Sequence, residues 1–171
     1  MNAVERRPLV TGQRPMTVTD LDQVMAIELQ AYPFPWSRGH FTDSLAAGYQ
    51  ADLRIVGREL LGYCVAMPGV EELHLLNLTV APAHEGQGHA RALLAHLAEV
   101  ARAQKAVQIW LEVRESNARA RRLYERWGFE AIGLRKGYYP AALGQREHAV
   151  VMRWTLDPAA AEPGAAAHGL D

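Results

Sequence analysis

The chain has 171 residues, a formal net charge of -1, and is 49% hydrophobic and 22% charged. That length suggests one domain with a sizeable core, and the near-zero charge excludes a global electrostatic pull toward nucleic acid. The lone cysteine, Cys64, excludes an internal disulfide and a cysteine metal cluster. It lies in the apolar run 60–67 and reads as a buried structural thiol, because a reactive thiol needs an electropositive, partly exposed site. No apolar run approaches the length of a transmembrane helix, and the N-terminus lacks the apolar stretch of a signal peptide. A soluble cytoplasmic protein is therefore expected, with no membrane partner and no direct nucleic-acid partner.

Residues 1–14 carry Arg, Pro and Gly without periodicity and are expected to form a flexible arm. Residues 16–18 read as a short strand. Thr19 can cap a helix whose apolar positions Leu21, Val24, Met25, Ile27 and Leu29 follow helical spacing. Pro33 and Pro35 break it, and Ser37 caps a second helix running to about residue 47. Strands follow near 51–56, 60–67 and 73–80, the first two joined by a hairpin at Gly57-Arg58. A longer helix is expected from about 88 to 104, then a strand over 107–113, then a helix capped by Ser116 or Asn117 and stopped by Gly128. Two last strands, near 130–136 and 149–154, flank a Tyr-Tyr-Pro loop. The Ala- and Gly-rich residues 157–171 cannot bury much and are expected to be disordered. The domain proper is thus 15–156. Its pattern is α/β: a mixed central β-sheet flanked by helices, with one central β-α-β unit.

Two segments carry candidate chemistry. In the first, a strand end at Leu78-Thr79-Val80 leads into Gly86-Gln87-Gly88-His89-Ala90-Arg91 and a helix start. Small residues let the backbone approach an anion, and the helix N-terminus favours negative charge. By itself such a turn is as well explained by structure. It is not a P-loop, since no Lys-Ser/Thr pair follows the last glycine, and its glycine spacing is too short for a dinucleotide fingerprint. In the second, Glu112 ends an apolar strand, sharing a face with Trp110 and Gln108, and Asn117 and Tyr124 follow on the next helix. A carboxylate there needs a partner or water. An ion pair to Arg114 or Arg135 explains it as well as chemistry does. Alone, Asn117 is a cap and Tyr124 a packing residue. Arg119, Arg121 and Arg122 crowd the same helix, where they read as a solvated face or a local basic patch.

Together the two segments resemble the GNAT superfamily of acetyl-CoA-dependent N-acetyltransferases. Its pyrophosphate loop, Gln/Arg-x-x-Gly-x-Gly/Ala, has its counterpart in Glu85-Gly86-Gln87-Gly88-His89-Ala90. Its later motif, Asn-x-x-Ala-x-x-Leu-Tyr-x-x-x-Gly-Phe, is met at Asn117, Ala120, Leu123, Tyr124, Gly128 and Phe129. The order of elements fits from about residue 16 to 154. Glu85 is a departure, since a carboxylate beside a pyrophosphate should repel it unless it points away. Phe34-Pro35-Trp36-Ser37, 110–114 with Ser116-Asn117, and Tyr138-Tyr139-Pro140 followed by Arg146-Glu147-His148-Ala149 resemble the RimI type within that superfamily. That type acetylates the N-terminal alanine of a small-subunit ribosomal protein. His148 stands where the type has Asp.

The resemblance implies a GNAT fold and an acyltransferase using acetyl-CoA as cosubstrate, without a metal. It implies Glu112 as base and Tyr124 as acid. Leu78, Thr79, Val80, Gly86, Gln87, Gly88, His89, Ala90, Arg91 and Asn117 would bind the cosubstrate. Trp36, Tyr138 and Tyr139 would line the peptide groove, and the N-terminus of a small-subunit ribosomal protein would be the partner. The alternatives are a GNAT enzyme acting on lysine side chains or small amines, and a CoA-binding module without catalysis.

Overall fold

The computed structural model describes residues 10–157. Seven strands form one sheet: β1 (Thr11–Pro15), β2 (Gln50–Val56), β3 (Glu59–Gly69), β4 (Glu72–Val80), β5 (Gln108–Arg114), β6 (Glu130–Pro140) and β7 (Arg146–Thr155). Their spatial order is β1-β2-β3-β4-β5-β7-β6. Every neighbouring pair is antiparallel except β4 and β5, which run parallel and so need a crossover. Of the four helices α1 (Leu21–Ala31), α2 (Arg38–Ala46), α3 (His89–Ala103) and α4 (Ala118–Trp127), α3 makes that crossover. The expected mixed sheet flanked by helices is the observed architecture.

Two cores lie on opposite faces. Leu93, Leu94, Leu97, Ala98 and Ala101 of α3 and Tyr124 and Trp127 of α4 pack on Leu73, Leu75, Ile109, Leu111, Val113 and Met152. On the other face Leu21, Val24 and Ile27 of α1 and Phe41 of α2 pack on Leu53, Tyr63 and Val65. Cys64 is fully buried in the first core, and burial pushes its thiol well above the ordinary range. That is the inert environment expected from its apolar run.

Three expectations need correction. The chain enters the sheet earlier than residues 16–18: β1 begins at Thr11, so residues 11–14 of the expected arm are edge strand paired with β2. Its pairing partner supplies the order that its own polar sequence does not announce. Residues 18–20 form a 3₁₀ turn, not strand, and Asp20 rather than Thr19 precedes α1. Tyr138-Tyr139-Pro140 is not a loop but the end of β6, which runs past a register shift between Arg135 and Tyr139. Residues 1–9 and 158–171, the rest of the expected arm and nearly all of the expected tail, lie outside the described residues.

The feature that positions the site is a slip in β4. Val65 faces Asn77 but Ala66 faces Leu75, so Leu76 is an extra residue in the ladder with β3. A bulge reverses the side-chain alternation downstream. Leu73 and Leu75 point into the α3 core and so, beyond the bulge, does Leu78, while Asn77 and Thr79 turn to the α1 side. Pairing of β4 with β5 covers only Glu72–Leu75 against Gln108–Leu111. Beyond that point the two strands part.

A buried carboxyl secures the α1 side of this gap. Glu28 is 1% exposed. It accepts from the Trp36 amide at 3.0 Å, from the Tyr63 hydroxyl, and from Asn77 Nδ2 at 3.4 Å. Asn77 in turn accepts from Thr79 Oγ1 at 2.7 Å, and Thr79 shares a 2.7 Å hydrogen bond with Tyr32. One side chain thus ties α1, the Trp36 segment, β3 and β4 together. Glu28→Ala would leave several buried polar groups without partners and is expected to cost roughly 2–4 kcal/mol of stability. Thermal and urea unfolding measure it, and a loss near zero would mean that water replaces the carboxyl.

Candidate active site

Where β4 and β5 part, a cleft of about 1050 Å³ opens between the end of β4, the 85–91 turn and α4. Leu78, Thr79 and Val80 form one wall, Gly86, Gln87, Gly88, His89, Ala90 and Arg91 the floor, and Asn117 and Tyr124 the far side. All ten residues expected to bind the cosubstrate are brought together here with Tyr124.

The local geometry suits an anion. Gly86 and Gly88 have φ of 75° and 84°, the left-handed region that side-chain-bearing residues avoid. A Cβ built on either would meet nothing within 4 Å, so it would project into open space. No side chain caps α3 at Gly88, and the first amides of this 15-residue helix are left for another acceptor. Arg91, Arg119, Arg122 and Arg126 also line the cleft. These groups fit the pyrophosphate and phosphate of a coenzyme A. The Tyr32 hydroxyl reaches the Leu78 carbonyl at 3.2 Å. The Leu78 carbonyl therefore faces the cleft edge of β4, and in a strand a residue's N–H faces the same edge.

His89 adds no charge to this floor. Burial first, then Arg54 and His84, lower its pKa. Its Nδ1 accepts from Arg54 Nε at 2.9 Å, which places the ring proton on Nε2, toward Gln87 Oε1 at 3.2 Å. The Glu85 carboxylate, the departure noted in the loop motif, is paired with Arg119 Nη1 at 2.6 Å across the cleft mouth. Asn117 both lines the cleft and caps α4, its Oδ1 accepting from the Ala120 amide at 3.1 Å. Burial raises the Tyr124 pKa, so this phenol stays protonated at neutral pH. Tyr32, whose pKa burial lifts to about 12, does the same.

Glu112 does not line this cleft. It is the first residue of β5 beyond the last rung shared with β4, and it lies on the opposite face from Tyr124. Its side chain is 5% exposed. Oε2 is hydrogen-bonded to His74 Nε2 at 2.5 Å, while Oε1 is 3.5 Å from Arg135 Nη2 and has no hydrogen bond. Of the two ion-pair partners read from the sequence, Arg135 is present and Arg114 is engaged elsewhere. The Arg114 guanidinium sits 5.3 Å from the Phe34 ring and 4.5 Å from the Tyr139 ring, and donates to the Pro140 carbonyl at 2.9 Å. Tyr139 donates to the Glu112 carbonyl at 3.1 Å, and Tyr138 is half exposed beside it. Trp36 is set back against Phe41, with ring centroids 5.0 Å apart.

The Arg146-Glu147-His148 segment has a structural part. His148 Nδ1 accepts from the Gly137 amide at 2.9 Å, and Arg146 donates to the Tyr138 carbonyl at 2.9 Å, so both hold the irregular turn in β6. Glu147 accepts from Ser116 Oγ at 2.5 Å, the largest cause of its lowered pKa. Sequence reasoning missed Tyr32, Arg122, Arg126 and His74 as members of the site. His74 carried no motif signal, and its place is set by the β4–β5 register alone.

A strand pair that splits, a glycine floor at a helix start and a ring of arginines make a cleft suited to a phosphate-bearing ligand. The family model for GNAT acetyltransferases matches residues 21–129. The chain is 37% identical over 134 residues to a [ribosomal protein bS18]-alanine N-acetyltransferase of Haemophilus ducreyi, covering 78% of this chain and 92% of the relative. It is 35% identical over 137 residues to the Escherichia coli enzyme of that name, covering 80% and 92%. The crystal structure of the Escherichia coli ribosomal-protein-S18-alanine N-acetyltransferase superposes with a TM-score of 0.80 at 32% identity, covering 88% of this chain and 97% of that one. The chain belongs to the GNAT acetyltransferase family and is of the RimI type.

The floor can be tested by calorimetry with CoA. Gly88→Val places a branched side chain where φ is 84° and the cleft is open, and should weaken binding at least tenfold. Glu85→Gln frees Arg119 for phosphate and should leave binding unchanged or tighter. Clear weakening by Glu85→Gln would mean that the ion pair shapes the cleft mouth.

Proposed function

We infer that this enzyme transfers the acetyl group of acetyl-CoA to the α-amino group of an N-terminal alanine on a small-subunit ribosomal protein. The names of its relatives support the acceptor. One observation carries the chemistry: a buried carboxyl, one of whose oxygens makes no hydrogen bond, stands where β4 and β5 part, on the face opposite the cleft. Donor and acceptor can then meet through the gap from opposite sides.

An unperturbed α-amino group has a pKa of about 7.7–8.0 and is mostly protonated at neutral pH. Glu112 Oε1 takes its proton, directly or through a water. The free nitrogen lone pair attacks the thioester carbonyl carbon, and the carbonyl oxygen becomes an oxyanion held by a backbone amide of the Leu78–Val80 stretch. The C–S bond then breaks, its electron pair going to sulfur; the Tyr124 hydroxyl protonates the thiolate, the extra proton on the attacking nitrogen is lost to water as the amide forms, and exchange with solvent returns Tyr124 to the phenol and Glu112 to the carboxylate. No covalent enzyme intermediate is needed, in keeping with the inert Cys64. The rings of Phe34 and Tyr139, bridged by Arg114, support a narrow slot for an extended peptide end. Among the described residues no group of three His, Cys, Asp or Glu side chains is arranged to hold a metal, and no helix is long and apolar enough to cross a membrane. The cytoplasm, where ribosomal proteins are made, is the proposed place of action.

Glu112→Gln should lower kcat on the order of 10²–10⁴ with CoA affinity kept. Tyr124→Phe should also slow turnover without loss of CoA binding. Near-normal turnover in either variant would remove that residue from the mechanism. In competition between matched peptides, a free N-terminal alanine should be acetylated well ahead of bulky or β-branched first residues and of internal lysines. Faster reaction at an internal lysine would favour a lysine acceptor instead.

A further inference from the structure

Glu112 is one member of a layered cluster on the open face of the sheet. His74 of β4 stacks on Trp110 of β5 with ring centroids 3.6 Å apart and planes 10° apart. Arg135 of β6 lies 5.8 Å from the Trp110 ring centroid and 3.5 Å from Glu112 Oε1. The register sets His74 opposite Trp110, one rung before the last pair shared by β4 and β5, and Glu112 one rung after it. His74 therefore stands on the anchored part of β4 and reaches forward to the carboxylate at the opening.

Its single polar contact is that carboxylate. The His74 side chain is 11% exposed, and Nδ1 is buried without a hydrogen-bond partner. At 2.5 Å, Nε2 and Oε2 must share a proton, since two facing lone pairs at that distance would repel. A neutral ring then carries its proton on Nε2, with the stack on Trp110 fixing the ring plane. With Oε2 held, the carboxyl group cannot rotate freely. Oε1 is buried and without a hydrogen bond, and its charged neighbour is the half-exposed Arg135 guanidinium at 3.5 Å, in the place that an acceptor ammonium would take.

We propose that His74 is a positioning residue for acetyl transfer: its Nε2–H holds Oε2 of Glu112 and so presents Oε1 to the acceptor amine. This rests on the reading of Glu112 as the base. The amine proton passes to Oε1, while the histidine proton remains on Nε2. A base held within a few tenths of an ångström takes its proton without first losing rotational freedom, which is a rate effect and not a binding effect. His74 is remote from the cleft that the cosubstrate fills, so acetyl-CoA affinity should not depend on it.

The test is a kinetic cycle with acetyl-CoA and a peptide beginning with alanine. It uses His74→Leu, His74→Asn and His74→Gln, each alone and with Glu112→Gln. His74→Leu and His74→Asn should lower kcat by roughly tenfold to a hundredfold, with the KM for acetyl-CoA and the CoA affinity unchanged. His74→Gln, whose amide N–H can reach the place of Nε2, should recover kcat to within about threefold of the parent. In the Glu112→Gln background none of the three should add a further loss, because the residue acts only through that carboxylate. His74→Asn keeps a polar side chain, so the test stands if the leucine variant does not fold. An equal loss in both backgrounds, or a glutamine variant as slow as the asparagine variant, would overturn the positioning role while leaving Glu112 as the base. Near-normal turnover of Glu112→Gln by itself would overturn the base and this proposal with it.

Discussion

Everything in this protein depends on two parallel strands that stop pairing. β4 and β5 share four rungs and then separate, leaving strand edges without ladder partners. Such an opening is costly in a sheet, because unpaired backbone groups lose their hydrogen bonds. The bulge at Leu76 turns β4 away, and the Glu28–Asn77–Thr79–Tyr32 network then holds it in its new course. The Tyr32 hydroxyl serves the Leu78 carbonyl at the exposed edge. The edge that remains is what a pantetheine arm or a thioester oxygen can use.

The split also divides the candidate groups between two faces. α4 covers one face and brings Tyr124 to the cleft, where burial keeps the phenol protonated. On the other face α1 and α2 pack farther along the sheet, on β2, β3 and β4. There Glu112, His74, Trp110 and Arg135 lie under the aromatic residues of β6. A phosphate-bearing cosubstrate and a peptide can therefore approach without competing for the same surface. The two environments differ in charge as well: the cleft gathers arginines around a glycine floor, while the opposite face centres on a carboxylate.

Departures from the family pattern find physical explanations in their contacts. Glu85 is neutralised by Arg119, so its charge is not presented alone to a phosphate. His148 accepts a hydrogen bond from the Gly137 amide inside the β6 irregularity. Arg146 grips the same turn from the side, and Glu147 fastens the loop before α4 through Ser116. These residues shape the wall that carries Tyr138 and Tyr139.

The sequence by itself determined most elements and the floor of the cleft. Apolar periodicity, the caps at Ser37 and Asn117 and the stop at Gly128 are local signals, and the helices and central strands follow them. The glycine turn and the Asn117–Phe129 motif are local too, which is why the residues that line the cleft were legible. The edge strand β1 and the continuation of β6 through Tyr138 were not, because a strand of polar or irregular sequence is defined by the neighbour that pairs with it. Only the tertiary structure decided that the carboxylate and the phenol stand on opposite faces. It alone brought His74, 38 residues away in sequence, to Glu112, since a parallel pairing register sets which residues of two distant strands meet.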